Sequence, residues 1–269
     1  MGTTWKRKAG LSDVLIAVAL GVVTLSTLLP LIHILAVSLS DKAAVSGGSV
    51  TFLPVNFTWT AYNAVMDDKA FFVAFGVSVQ RVLLGGAINF VLTVLAAYAL
   101  SRSSAEFRSR IVYVWILVFS MMFSGGMIPL YMTVRELHLI DTMWALVLPT
   151  GVQIFNIIVL MNFFRNLPKE MDEAALVDGA GPWYTLFKIY LPMSLPSLAT
   201  VTLFSIVFHW NSFFDGLIFI NTQENYPLQT YLNQIVVQTG IVDSTMTREQ
   251  ILEMAKLSDK TVNSAKILV

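Results

Sequence analysis

Apolar residues in this chain gather into long runs separated by charge-bearing segments. A helix needs about 20 mostly apolar residues to cross the hydrocarbon core of a bilayer. Five runs reach that length: Val14–Leu39, Phe71–Leu100, Ile111–Val134, Met143–Phe164 and Met193–Ile220. Lys6, Arg7 and Lys8 precede the first run, as they would in a secretory signal. That run is nevertheless far longer than a signal core of about 7–15 residues, and it lacks a small-residue cleavage site. It reads as a retained anchor and first span. The pattern predicts an all-α, polytopic transmembrane helical bundle forming one domain over residues 1–269, with five spans visible.

Composition agrees and narrows the class. Of 269 residues, 56% are hydrophobic and 13% charged, against about a quarter charged in an ordinary soluble domain. Mean hydropathy is +0.70. These values exclude a water-soluble enzyme of ordinary surface chemistry, and also disorder, coiled coil and collagen. Lys plus Arg and Asp plus Glu each total 17, so there is no basic excess for nucleic acid. Cysteine is absent, which removes disulfides, thiol chemistry and Cys-ligated metals. His33, His138 and His209 have no metal-ligand spacing, so no metal or catalytic site is expected.

The basic residues set an orientation. With the N-terminus inside, the inner segments carry Lys6, Arg7, Lys8, Arg102, Arg108, Arg110, Arg165, Lys169 and Lys188, against Lys42, Lys69 and Arg135 in the short outer loops. The positive-inside bias predicts a multi-pass cell-membrane protein with residues 101–110 and 165–192 cytoplasmic. Residues 40–70 hold Ser46-Gly47-Gly48, Pro54, Phe52, Phe57, Trp59 and Tyr62, suited to a short interfacial helix plus turns. The outer segment, residues 221–266, is polar and includes a helix-like stretch at 247–257. At Ile267-Leu268-Val269 a new apolar run begins.

One loop is long and rich in local signals. In NLPKEMDEAALVDGAGPWYTLFKIYLP, Pro168 opens a helix whose first turns carry Glu170, Asp172 and Glu173, where the macrodipole favours negative charge. Gly179 and Gly181 end it, since glycine takes the positive φ of a helix C-terminus. Pro182 starts a second short helix at its favoured first position, predicted to run through Trp183, Leu186, Phe187 and Ile189 to Pro192. The expected product is a helix–turn–helix elbow at the cytoplasmic face.

Glu173-Ala174-Ala175, Gly179 three residues on, Ile189 nine further, then Leu191-Pro192 resembles the EAA loop of ABC-importer permeases, EAA-x3-G-x9-I-x-LP, at every specified position. LAAYALSR at 95–102, IPLY at 128–131, the run at 163–180 and HWNSFFDGLIF at 209–219 are similar to the maltose-type, carbohydrate-uptake branch. The likeness covers roughly residues 10–235 and is nearest to Gram-positive permeases for complex polysaccharides or their oligomers, which carry a comparable YPLQ segment. It implies a type I importer fold and a permease that takes up oligosaccharides by alternating access. The implied partners are a second homologous permease, two cytosolic ATPases that use ATP and Mg, and an extracytoplasmic solute-binding protein. A sixth span is expected from the resemblance and does not occur before Val269, so the sequence reads as a six-span permease stopping one helix short. No cofactor is expected on this chain, which has no GxxxxGK[ST] string.

The resemblance assigns ATPase coupling to about Lys169–Ala180. Glu173 would ion-pair with a groove on the ATPase, Ala174 and Ala175 would permit close approach, and Gly179 would make the turn. Asp178 is a second polar anchor or a solvated terminal residue. Ile189, Leu191 and Pro192 complete the loop. A sugar pathway needs aromatic faces and hydrogen-bonding amides. Its candidates are Phe119, Met122, Phe123, Tyr131, Asn156, Asn162, Trp210, Asn211 and Asp215, with Asn211 beside Trp210 foremost.

Elsewhere within the spans, His209 reads as a helix-packing hydrogen-bonder. Arg81 either snorkels outward or pairs in the bundle, with a role in the pathway as a further alternative. Gly85-Gly86 fits a close helix contact, and Gly125-Gly126 with Pro129 fits a hinge, an unwound segment or simple close packing. An ABC permease for a non-sugar solute is the main alternative. An ion-coupled transporter is disfavoured because Asp215 is the one acid well inside a span, and a membrane enzyme because no nucleophile–base pair occurs.

Overall fold

The computed structural model describes residues 10–238 and 259–268. The helix-like stretch expected at 247–257 lies outside the described residues. Every regular element among the described residues is helical. The first two apolar runs form the long helices α1 (Leu11–Ser38) and α4 (Lys69–Ser101), each long and apolar enough to cross a membrane alone. Between them lie α2 (Lys42–Ser46) and α3 (Thr60–Met66), in the segment expected to hold a short helix and turns.

The remaining runs are broken. The third becomes α5 (Arg110–Met122) and α6 (Met127–Glu136), which meet at 111°. The chain turns there at Gly126, whose φ of 87° lies in the left-handed region that favours glycine. Of the alternatives for Gly125-Gly126, the unwound bend is the one present. The fourth run becomes α7 (Met143–Val147) and α8 (Ile154–Arg165), with irregular backbone between them. The fifth divides into α12 (Leu195–Asn211) and α13 (Phe214–Phe219).

The elbow comprises α9 (Lys169–Val177), α10 (Pro182–Thr185), a π-helical turn at Leu186–Tyr190, and α11 (Leu191–Met193). The second helix of the elbow, expected from Pro182 through Ile189, is present as helical turns from Pro182 to Met193, and what the sequence does not announce is its π spacing at Leu186–Tyr190. Pro192 has no N–H to return to the preceding turn, and Leu191 N–H instead reaches back to Leu186 O in the wider π spacing. Past α13 the chain forms α14 (Leu228–Gln238), and the last described element is α15 (Lys260–Leu268).

Two compact units divide the chain. One is drawn from Met1–Lys69 and Gln234–Val269, the other is Ala70–Asn233. In the first, α15 packs against α1, α2 and α3. Lys266 Nζ donates to Asp68 at 2.5 Å and Lys42 pairs with Asp259 at 2.9 Å. Most of α1 exposes large apolar side chains such as Leu20 and Leu25, as suits a helix surrounded by lipid tails.

In the second unit a core of Val94, Ala97, Leu100, Leu160, Phe164, Leu186 and Val201 gathers α4, α8, α12 and the π turn. One face of α4 adds a polar seam: Ser78, Arg81, Gly85, Asn89 and Thr93 recur every three or four residues and are all buried. Gly85 permits the closest approach along it. A methyl group there would lie 2.5 Å from the His209 ring, whereas Gly86 has no such neighbour within 4 Å.

Replacing Gly85 by Val should therefore force apart α4 and α12, costing about 1–3 kcal/mol by overpacking. Thermal denaturation of the purified protein should show a lowered Tm for Gly85→Val, with Gly86→Ala close to wild type. Equal Tm values for the two variants would contradict this packing.

Candidate functional site

The elbow is built from local rules. Pro168 precedes α9, whose first turn carries Glu170 and Asp172. At its end Ala180 N–H donates to Ala175 O at 2.8 Å while Gly179 adopts a φ of 73°. This is the left-handed C-terminal turn that favours glycine. Gly181 then caps α10, and Pro182 occupies its first turn.

The residues of the motif divide between two surroundings. Glu173, Ala174, Asp178 and Gly179 are exposed, Ala175 is buried, Ile189 and Leu191 are half-buried, and Pro192 is exposed. Ala175 therefore spends its small side chain on packing within this chain. Ala174 and Glu173 remain on the surface.

A cluster not singled out from the sequence pins this elbow to the end of α4. Arg102 Nη1 donates to Asp172 Oδ1 at 3.2 Å, and Tyr190 OH donates to the other carboxylate oxygen at 2.5 Å. The Arg102 guanidinium lies 4.3 Å from the Tyr98 ring centre and 4.9 Å from that of Tyr190, a double cation–π contact. Tyr98 OH donates to Pro182 O at 2.8 Å, and Arg110 Nη1 donates to Arg102 O at 2.7 Å. Asp172 thus accepts from both sides while α9 and α10 are each tied to α4. A cleft of about 660 Å³ opens beside the cluster, between Tyr98, Arg102, Phe107 and Glu173. In the sequence Arg102 registered only as an inner positive charge and Asp172 only as a first-turn acid. The signal available was that LAAYALSR ends in Arg just outside a span.

A solved chain of the same architecture exists. Over 99% of this chain and 94% of its own length, the structure superposes with a TM-score of 0.86 and 33% identity on a chain of a bacterial ABC transporter involved in the import of the acidic polysaccharide alginate. Residues 89–239 match the model of the binding-protein-dependent transport system inner membrane component. The chain belongs to this family of ABC-importer permeases. Among curated relatives, the polygalacturonan/rhamnogalacturonan transport system permease protein YtcP of Bacillus subtilis is 35% identical over 263 residues, 95% of this chain and 91% of the relative. Protein LplC of the same organism is 36% identical over 268 residues, 99% of this chain and 89% of the relative. The permease is accordingly a multi-pass membrane component of a binding-protein-dependent importer.

The pathway candidates are scattered along the permease. Phe119 and Met122 are exposed on α5, with Phe119 stacked on Phe123 at 4.5 Å. Tyr131 stacks on Phe219 at 6.3 Å. Asn156 is buried and donates to Gln153 Oε1 at 2.6 Å and to Val201 O at 3.3 Å, so its amide fastens α8 to α12. Asn162 is exposed on α8. Trp210 sits edge-on to Phe75 at 5.8 Å, and Asn211 is exposed at the end of α12.

His209 is buried, with Nε2 3.3 Å from Asn89 Nδ2, which also donates to Gly85 O and Thr150 O. Asp215 is paired with Arg81, which is fully buried. Of the two readings of Arg81, pairing within the bundle is the one present.

Between α6 and α7, Asp141 adopts a φ of 63° and clamps the chain that follows α13. Its carboxylate accepts from the Thr222 hydroxyl, from Thr222 N–H at 3.0 Å and from Asn221 N–H at 3.1 Å. The Thr222 hydroxyl, then its N–H, hold the carboxyl below the usual range of aspartate. A lowered folded-state value means the clamp stabilises at pH above the unfolded value of about 3.9 and is lost as pH falls through the folded one. Hydrogen exchange of the 219–225 segment should stay protected when pH drops to 4. In Thr222→Val, protection should begin to fail at higher pH than in wild type. Identical pH profiles would show that Asp141 does not hold this segment.

Proposed function

We propose that this permease forms half of the translocation pathway of an importer for oligosaccharides released from polysaccharides, and that the 165–192 elbow couples it to an ATPase. The observation that carries this reading is the clamp of Arg102, Asp172, Tyr190 and Tyr98. A coupling element has to transmit force, and the elbow is fastened to the end of a membrane-length helix by the Arg102–Asp172 ion pair to α9, the Tyr98 hydroxyl to α10 and the contact of Arg102 with the Tyr190 ring, while the Tyr190 hydroxyl ties α9 to the π turn.

In this reading the N-terminus and the elbow are cytoplasmic, as the distribution of Lys and Arg supports. Glu173, Ala174, Asp178 and Gly179 meet the ATPase. Ala175, Ile189 and Leu191 seat the elbow against the bundle, and Pro192 lies exposed in α11. ATP is bound and hydrolysed, with Mg, by two separate cytosolic subunits, a second homologous permease completes the pathway, and an extracytoplasmic binding protein delivers the cargo. ATPase closure then moves α9, and α4 moves with it as a rigid body. Phe119, Tyr131 and Trp210 supply aromatic faces, Met122 an apolar one and Asn211 an amide, of the kind a sugar chain requires. Asn156 contributes by fixing α8 beside them. The names of the alginate importer and of YtcP support acidic polysaccharide fragments as the first cargo to examine.

Two experiments address the halves of this reading. Glu173→Lys combined with Gly179→Asp should abolish substrate-stimulated ATP hydrolysis by the reconstituted complex. Arg102→Met should leave the ATPases bound but lower that stimulation about tenfold or more, the scale of a lost charge-assisted hydrogen bond. Full stimulation in either variant would sink the coupling assignment. Uptake by proteoliposomes of pectin- and alginate-derived oligosaccharides, measured against neutral sugars and amino acids, decides the cargo, and transport of amino acids alone would refute it.

A further inference from the structure

We propose that Arg81 is a positioning residue that holds the break between α12 and α13 and thereby sets Trp210 and Asn211 at the end of α12. The inference rests on the permease reading above for what Trp210 and Asn211 do. The break itself and its fastening stand on the structure alone.

A helix interrupted inside a bilayer exposes backbone groups that lipid cannot satisfy. Here α12 ends at Asn211, Ser212 is extended with ψ of 124°, and α13 starts at Phe214. Neither proline nor glycine occupies 208–215, so nothing in the local backbone requires an interruption. The fastening comes from outside the segment. Arg81 Nη1 donates to Ser212 O at 3.2 Å, on one side of the break, and to Asp215 Oδ1 at 3.2 Å, on the other, while Nη2 pairs with Asp215 Oδ2.

One guanidinium therefore grips both halves, with the planar two-nitrogen geometry that lysine lacks. Asp215 Oδ1 also accepts Gly216 N–H at 3.0 Å, and the Thr230 hydroxyl donates to Phe213 O at 2.8 Å. Gly216 lies so close beneath Thr230 that any side chain there would collide with it. The break is thus held between α4 and α14. Immediately before it, Asn211 is exposed and Trp210 is steadied by Phe75 of α4.

The chain contains no cysteine, so spin labels at Leu203→Cys and Leu217→Cys would report the break in the assembled complex by double electron–electron resonance. Arg81→Met, Arg81→Lys, Asp215→Asn and Thr230→Val are compared with wild type, and uptake is normalised to the amount of assembled complex. Arg81→Met should broaden the distance distribution toward about 21 Å, the span of an unbroken helix over fourteen residues. It should also lower kcat for transport about tenfold while KM for the loaded binding protein stays unchanged. Arg81→Lys should restore little of either, and Asp215→Asn and Thr230→Val should give smaller shifts in the same direction.

Wild-type distances and wild-type kcat in Arg81→Met would overturn the proposal. Should that variant fail to assemble, wild-type distances in both Asp215→Asn and Thr230→Val would overturn it instead. A wild-type complex that moves no saccharide defeats the cargo reading and leaves the label distances to judge the break by themselves.

Discussion

Within hydrocarbon, each backbone N–H and C=O must find its partner inside the protein, and this chain interrupts its apolar runs repeatedly. Only α1 and α4 run unbroken at membrane length among the described residues. The other runs bend or split, so their structure depends on donors and acceptors supplied by neighbours. In the 70–233 unit α4 provides them. Its seam from Ser78 to Thr93 delivers a serine oxygen to Leu228 N–H, a guanidinium to the α12–α13 break, and an amide to Thr150 O beside the irregular stretch after α7. A straight helix of good internal geometry thus serves as the scaffold on which irregular segments are fixed.

The cost of this arrangement is a charge in a region that resists charge. Placing an arginine within a span is unfavourable, and a buried ion pair often fails to recover its full desolvation penalty. Arg81 offsets part of that by making hydrogen bonds as well as a pair, since Ser212 O would otherwise stand without a donor. Its contribution is therefore better described as determining which backbone path the segment takes than as added stability. Removing the Asp215 charge alone would leave Arg81, which is fully buried, without its counter-charge, and that is more destabilising than losing both together.

Much of this organisation was legible in the sequence, and the reasons differ by element. That α1 and α4 are helices of membrane length follows from the length of their apolar runs, although run length by itself does not separate them from the three runs that break. The C-terminal turn of α9 followed from Gly179, where only a positive φ fits, and the start of α10 from Pro182. The break at 212–213 was not legible. It is fastened by Arg81, 131 positions before Ser212, and nothing in HWNSFFDG marks it locally. The π turn escaped for a related reason, since proline announces a disturbance but not how the preceding carbonyls will be shared. Periodicity also left the two readings of Arg81 open, because the choice between snorkelling and pairing depends on whether an acid lies opposite in space.

Residues that a motif marks differ here from residues that hold the motif in place. Glu173, Ala174 and Gly179 are visible in the sequence because their spacing is constrained, yet two are exposed side chains and the third a turn, with little to hold them in place by themselves. Rigidity comes from Asp172, whose carboxylate is shared by Arg102 and Tyr190, and from Tyr98, whose hydroxyl reaches Pro182 O. Arg102 and Tyr98 stand at the end of α4, which carries Arg81 about six turns earlier. In the proposed mechanism one unbroken helix therefore joins the elbow to the broken segment beside Trp210 and Asn211. Displacement at one end arrives at the other with little loss, because a hydrogen-bonded helix resists compression more than loops do.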